Sequence, residues 1–277
     1  TSGNITSIAS SDYVSYAHQQ NIEVWMTVRD FDGGISSEQE SYELLSYTSR
    51  RETLITQLIA EALRVGVDGI NVDFEKISDK CGEHYIEFIR ELSVKCRQNG
   101  LVLSVDNYVP KSFNTQYDRK EQGIVADYVV IMGYDEYYAG SEKAGPVSSL
   151  NYVTDSTENT LKEVPAEQTI IALPFYSRLW KETTKDGKVK LSSEAYGMHF
   201  AKESMIDAGA KFEWNDESGM NYAEYTKDGV VYKMWLEDQT SLEEKMKVVS
   251  DHQTAGYAFW KLGLEDSAVW DMIIKYM

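Results

Sequence analysis

The feature that most constrains this chain is an alternation. Six short apolar segments with strand character are spaced along it: 22–28 (IEVWMTV), 67–75 (VDGINVDFE), 101–109 (LVLSVDNYV), 126–135 (ADYVVIMGYD), 169–176 (TIIALPFY) and 256–262 (GYAFWKL). Between them lie segments of helical spacing, with short connections. Strand and helix in turn build βαβ units, and such units build a parallel sheet covered by helices. Leu54, Leu58 and Ala62, then Tyr85, Phe88, Ile89, Leu92 and Cys96, recur at helical spacing as core stripes. Ser49 with Glu52, and Thr240 with Glu243, fit the capping box and predict helix starts there. One region breaks the rhythm. From Lys181 to Leu236 turn signals replace it, notably Asp186-Gly187 and Asp228-Gly229, the second between MNYAEYT and VVYKMWL as a hairpin requires.

Within the second segment, Asn71, Asp73 and Glu75 alternate with Ile70, Val72 and Phe74. Residues two apart in a strand share a face, so two carboxylates and an amide project together while the apolar set faces the other way. A polar edge strand is the bland explanation. The apolar run and its approach through Gly66 and Asp68-Gly69 favour a central parallel strand, with the carboxylates at its open end. Asp68 falls on the opposite face and is expected to brace the start of the strand. Polar residues gather at the C-terminal ends of other strands too: Asp106 and Asn107, Tyr134 and Asp135, Tyr176 with Arg178 beyond, and Trp260 near the middle of the last. In an α/β barrel that pole carries the active site. For Asp106, Asn107 and Glu136, packing and site roles stay equally open.

At 277 residues the chain fits one large α/β domain with an insertion. Its formal charge of -18 argues against a polyanion such as nucleic acid as the natural partner, since binding one depends on clustered Lys and Arg. No apolar run approaches the roughly 18 residues of a membrane span. The first residues show no basic and apolar signal pattern, which leaves an intracellular protein or a chain that starts after its signal. Cys81 and Cys96 flank or lie on one predicted helix, roughly 20 Å apart, and read as free thiols. The four histidines form no triad or zinc pattern.

The segment DGINVDFE resembles the D-G-x-D-x-D-x-E signature of glycoside hydrolase family 18, the chitinase-like enzymes. Three further segments resemble that family in order and spacing: MGYD (132–135), LPFYSRLW (173–180) and GYAFWKLGLED (256–266). Asn71, the YDE sequence and PFYSRLW look most like the bacterial branch related to spore-cortex and cell-wall N-acetylglucosaminidases. The resemblance implies a TIM (β/α)8-type barrel over residues 1–180 and 237–277, with a small α+β insertion at 181–236 before the last strand. It implies retaining hydrolysis of β-1,4 bonds next to N-acetylglucosamine, in peptidoglycan or a chitin-like glycan, by substrate assistance without metal or cofactor. The Asp-rich strand offers a divalent cation ligands, but that chemistry needs none.

In that scheme Glu75 is the general acid, Asp73 holds the 2-acetamido N–H and stabilises the oxazolinium, and Tyr134 donates to the acetamido oxygen. Trp260 floors the distorted sugar, and Asp135, Tyr176 and Arg178 bind substrate hydroxyls or neighbouring groups. Asn71 stands where the family has Asp; unlike Asp it stays neutral and cannot share a proton. The resemblance also implies an extracellular, cell-wall or spore-associated bacterial protein. A lectin-like descendant that binds glycan without cleaving it is the alternative, and loss of the acid Glu, present here as Glu75, is its usual mark. The family barrel has two strands before the one at 22–28, for which this chain offers only a loop and one helix. The expectation is a fragment of a longer polypeptide, or strands supplied from elsewhere.

Overall fold

The computed structural model describes residues 1–31, 35–185 and 187–277, so Asp186 of the expected Asp186-Gly187 turn lies outside the described residues. The chain forms two compact units, Thr1–Ile131 with Thr160–Thr169, and Met132–Asn159 with Ile170–Met277.

The first unit runs α1 (Ser11–Gln19), β1 (Trp25–Arg29), α2 (Glu38–Leu45), α3 (Thr48–Val65), β2 (Gly69–Asp73), α4 (Gly82–Gln98), β3 (Val102–Tyr108), α5 (Arg119–Val125) and β4 (Tyr128–Met132). The strands follow one another in sheet order β1-β2-β3-β4. β2 lies parallel to both neighbours, with Trp25 opposite Gly69, Arg29 opposite Asp73, and Asn71 opposite Ser104. Gly69 has to be glycine: a Cβ there would sit 2.9 Å from both the Trp25 ring and the Val102 carbonyl oxygen. Ile70, Val72 and Phe74 are at most 2% exposed, and Phe74 stacks on Tyr85 and Phe88 of α4. Burying each such side chain contributes about 1.5–3 kcal/mol, which pins the register and sends Asn71 and Asp73 to the opposite face.

Asp68 braces the start of β2 as its position implied: its Oδ2 accepts the Val24 N–H at 2.7 Å and meets His18 Nε2 at 2.8 Å. Asn107, on the apolar face of β3, exchanges two side-chain hydrogen bonds with Gln122 at 2.7 and 3.0 Å and is core structure. Both cysteines are buried free thiols. Cys81 caps the start of α4 and Cys96 lies in its buried stripe.

The second unit holds α6 (Leu150–Thr160), β5 (Thr169–Pro174), β6 (Tyr176–Lys185), β7 (Lys188–Gly197), α7 (Met198–Asp207), β8 (Glu213–Asn215), β9 (Met220–Lys227), β10 (Val230–Leu236), α8 (Gln239–Asp251), β11 (Gly256–Trp260) and α9 (Val269–Ile273). β11 runs parallel to β5, with Trp260 opposite Pro174. β6 to β10 form an antiparallel sheet in the order β7-β6-β10-β9-β8. β9 and β10 are joined at Asp228-Gly229, both in the left-handed region (φ 51° and 77°), as a tight hairpin turn demands. The expected strand at 169–176 is two elements, since the chain leaves β5 after Pro174 and Tyr176 already opens the antiparallel β6.

Two helix starts differ from expectation. α3 begins at Thr48 with Tyr47 as cap and no side-chain capping bond, so Ser49 and Glu52 form no capping box. The helix starts two residues earlier because the N–H groups of Arg50 and Arg51 already reach the Tyr47 carbonyl. α8 has a capping box shifted by two residues, Asp238 with Ser241 in place of Thr240 with Glu243. Asp238 accepts the Ser241 N–H at 3.0 Å while Ser241 Oγ accepts the Asp238 N–H at 2.9 Å. Among the described residues the parallel strands number six, and none precedes Trp25. No helix among them is long and apolar enough to cross a membrane.

Candidate active site

In the first unit the carboxylates collect at the C-terminal ends of β1, β2 and β3. β2 ends at Asp73, and Glu75 lies two residues beyond, where no ladder partner supports the backbone. Asp30, just past β1, takes over that task. Its Oδ1 accepts the Glu75 N–H at 2.7 Å, and its Oδ2 accepts the Lys76 N–H at 2.9 Å and the Ser41 hydroxyl at 3.0 Å. The carboxylate is 1% exposed, and burial raises its pKa against the pull of those donors. Glu75 itself accepts a hydrogen bond from the Tyr108 hydroxyl. Burial first, and the Glu75 carboxylate next, raise the Tyr108 pKa, so the phenol stays a donor.

Asp73 is the electrostatic extreme of the group. Burial, then the charges of Asp106, Glu75 and Asp30, push its pKa up to about 7, with Arg29 opposing. Its Oδ1 is buried and has no hydrogen-bond partner among the described residues. A buried carboxylate oxygen left unpaired is costly, and in an open strand end it is positioned to accept a donor from a ligand. Asn71 links β2 to β3: its Nδ2 donates to Asp106 Oδ2 at 2.7 Å and its Oδ1 accepts from Ser104 Oγ at 2.6 Å. Burial raises Asp106 to about 6, with the Asn71 amide opposing and Glu75 adding to the rise.

The second unit carries the other expected residues. Tyr134 follows Gly133, where a Cβ would come 2.9 Å from the Ala172 carbonyl oxygen, so the chain leaving β4 hugs β5. Its ring lies edge-on to Tyr176, with centroids 6.4 Å apart. The Tyr176 hydroxyl donates to Asp135 Oδ1 at 2.7 Å, and Arg178 Nη2 stands 3.9 Å from the same oxygen. Burial and Asp135 raise the Tyr176 pKa and keep it a donor. Asp135 itself adopts a left-handed backbone, φ 54°. Arg178 Nη1 reaches Ser193 Oγ on β7 at 3.2 Å, while its buried Nε has no partner among the described residues. Trp260 is the last residue of β11, and its side chain is 48% exposed.

Asn71, Asp73 and Glu75 thus share one site with Asp106, and Tyr134, Asp135, Tyr176 and Arg178 form a second contiguous group. Glu136 accepts the Ser149 N–H at 2.7 Å and serves the chain ahead of α6. Two residues escaped sequence reasoning, Asp30 and Tyr108. Tyr108 carried a legible signal, because Ser104, Asp106 and Tyr108 alternate as Asn71, Asp73 and Glu75 do. Asp30 carried none beyond its place after a strand, since the backbone N–H groups it serves are more than 40 residues away. No group of His, Cys, Asp and Glu among the described residues is arranged to hold a metal ion.

Comparison with known proteins adds the lineage. The family model for glycosyl hydrolases family 18 matches residues 11–265. A cortical fragment-lytic enzyme of Bacillus anthracis is 23% identical over 267 residues, 94% of this chain and 61% of that protein. The uncharacterized glycosylase YvbX of Bacillus subtilis is 26% identical over 289 residues, 99% of this chain and 80% of its own. Among solved structures, the spore cortex-lytic enzyme SleL of Bacillus megaterium superposes with a TM-score of 0.89 at 21% identity, over 100% of this chain and 64% of that one. A chitinase from Chromobacterium violaceum gives 0.89 at 24% identity, over 99% and 87%. These neighbours carry the α/β TIM-barrel fold, and in this chain the six parallel strands with their helices are accompanied by an antiparallel sheet. The chain spans about 60% of the length of several curated relatives. With its family model covering nearly all of it, the chain belongs to glycosyl hydrolase family 18.

Proposed function

We propose that the protein is a retaining glycoside hydrolase that cleaves β-1,4 bonds next to N-acetylglucosamine by substrate assistance. The observation that carries this reading is Asp73: a buried carboxylate with a raised pKa and an unpartnered oxygen, two residues from an acid oriented by Tyr108. A carboxylate so enclosed is a poor attacking group but a good acceptor for an acetamido N–H, and its charge suits a cationic oxazolinium. The substrate's own acetamido oxygen attacks the anomeric carbon while Glu75 gives its proton to the leaving glycosidic oxygen. Glu75 then takes a proton from the water that opens the ring. Following the family pattern, Tyr134 orients the acetamido oxygen, Trp260 supports the sugar, and Asp135, Tyr176 and Arg178 bind its substituents.

The substrate class is a glycan of N-acetylglucosamine, and the Bacillus relatives named for cortex lysis favour peptidoglycan over chitin. That reading places the protein at the bacterial cell wall or spore. The test is turnover of a chromogenic N-acetylglucosaminide and of purified peptidoglycan by wild type and Glu75→Gln. The expected result is a loss of about 10²–10⁴-fold in kcat with glycan binding retained. Equal background rates in both proteins, each still binding glycan, would establish a lectin-like protein instead.

A further inference from the structure

Asn71 cannot carry charge, yet the face it occupies has not lost a carboxylate. The missing charge stands one strand away. Asn71 Oδ1 is engaged by the Ser104 hydroxyl, which leaves its amide nitrogen turned to Asp106 at 2.7 Å. An amide N–H can only donate, so this bond fixes Asp106 Oδ2 as an acceptor. The β2–β3 register pairs Asn71 with Ser104 and Val72 with Val105, and its continuation sets Asp106 beside Asp73. Parallel strands lie about 4.8 Å apart, so the two carboxylates are close neighbours on one face.

We infer that Asp106 is the proton partner of Asp73: the two carboxyls hold one proton between them, and Asp106 takes it when a substrate acetamido N–H engages Asp73 Oδ1. The proton leaves the Asp73 carboxyl and arrives on the Asp106 carboxylate. The pair carries a single negative charge before and after, and Asp73 is the anion when the oxazolinium forms. The proton returns once that intermediate is hydrolysed. Asp106 is therefore a positioning residue that acts through Asp73. Two close carboxylates in a buried setting titrate as a pair, and both titrations are raised here, to about 7 and about 6. The other groups facing the pair are Glu75 beyond β2, Asp30 and Arg29 from β1, Tyr85 from α4 and Tyr108 from β3.

This inference rests on the hydrolase reading for its catalytic meaning, but its physical core is tested without turnover. Carboxyl 13C NMR would follow the Asp73 titration in the wild type, in Asp106→Asn, and in the relocated pair Asn71→Asp with Asp106→Asn. The Asp73 midpoint should fall by about one pH unit or more in Asp106→Asn and rise again in the double variant. Reciprocally, the Asp106 midpoint should fall in Asp73→Asn, which keeps the test decisive should Asp106→Asn fail to fold. In turnover, Asp106→Asn should shift the kcat pH profile, and the relocated carboxylate should restore it. Midpoints that do not move would overturn the pairing and leave Asp106 as an acceptor that merely orients Asn71. A wild type that turns over nothing would count against the hydrolase reading alone, because the titrations would still report on the pair.

Discussion

At the scale of single residues, the site is held together by carboxylates whose surroundings oppose their charge. Asp73 is the clearest case, and its effect on stability has a definite sign. Its folded pKa of about 7 lies above the ordinary 3.8, so the folded state binds the proton more tightly than the unfolded one. The resulting stability is fully present below about pH 4 and is lost as pH rises through 7. Asp73→Asn should therefore be more stable than wild type at pH 8, by about 2–4 kcal/mol, with the advantage vanishing near pH 4. Urea unfolding of both proteins at the two pH values measures this. Asp30 acts differently, as the receptor for the Glu75 and Lys76 N–H groups. Asp30→Ala should cost about 1–3 kcal/mol from the orphaned buried donors, and should lower kcat more than it changes KM, because Glu75, the proposed acid, loses its backbone support. Calorimetry and steady-state kinetics would check the two halves of that expectation.

At the scale of elements, periodicity was the dependable signal. The six parallel strands were legible from apolar alternation, and the polar face of β2 from Asn71, Asp73 and Glu75. The strand ends were less so: Glu75 reads as strand in sequence but stands beyond β2, because its backbone hydrogen bonds go to the Asp30 side chain. Tyr176 and Arg178 read as the end of a barrel strand but lie on β6, since the chain turns at Pro174 and Phe175 into the antiparallel sheet. Helix caps failed where a pattern was taken for a bond. Ser49 and Glu52 have the right spacing two residues too late, whereas Asp238 and Ser241 form both bonds of a box that residue spacing alone had put two positions on. Thermal unfolding should separate them. Asp238→Ala should cost about 1 kcal/mol, and Ser49→Ala should stay within about 0.5 kcal/mol of wild type.

At the scale of the whole molecule, the motif order along the chain was enough to identify the lineage, which the family model over residues 11–265 shows. Chain topology explains why: the signature segments are strand ends, and their spacing is set by the βα units between them. What the sequence could not convey was the pairing of groups from different strands. Tyr108 with Glu75, Asn71 with Asp106, and Asp30 with the loop after β2 each depend on sheet order, which leaves no trace in local composition. The chemistry proposed for this site turns on the acetamido group as nucleophile and Asp73 as its partner. The most direct test is the inhibition constant of a thiazoline analogue of the oxazolinium, set against that of N-acetylglucosamine. The thiazoline should bind at least about 100-fold more tightly, as mimics of a stabilised intermediate do, and equal, weak binding of the two would rule out the acetamido nucleophile.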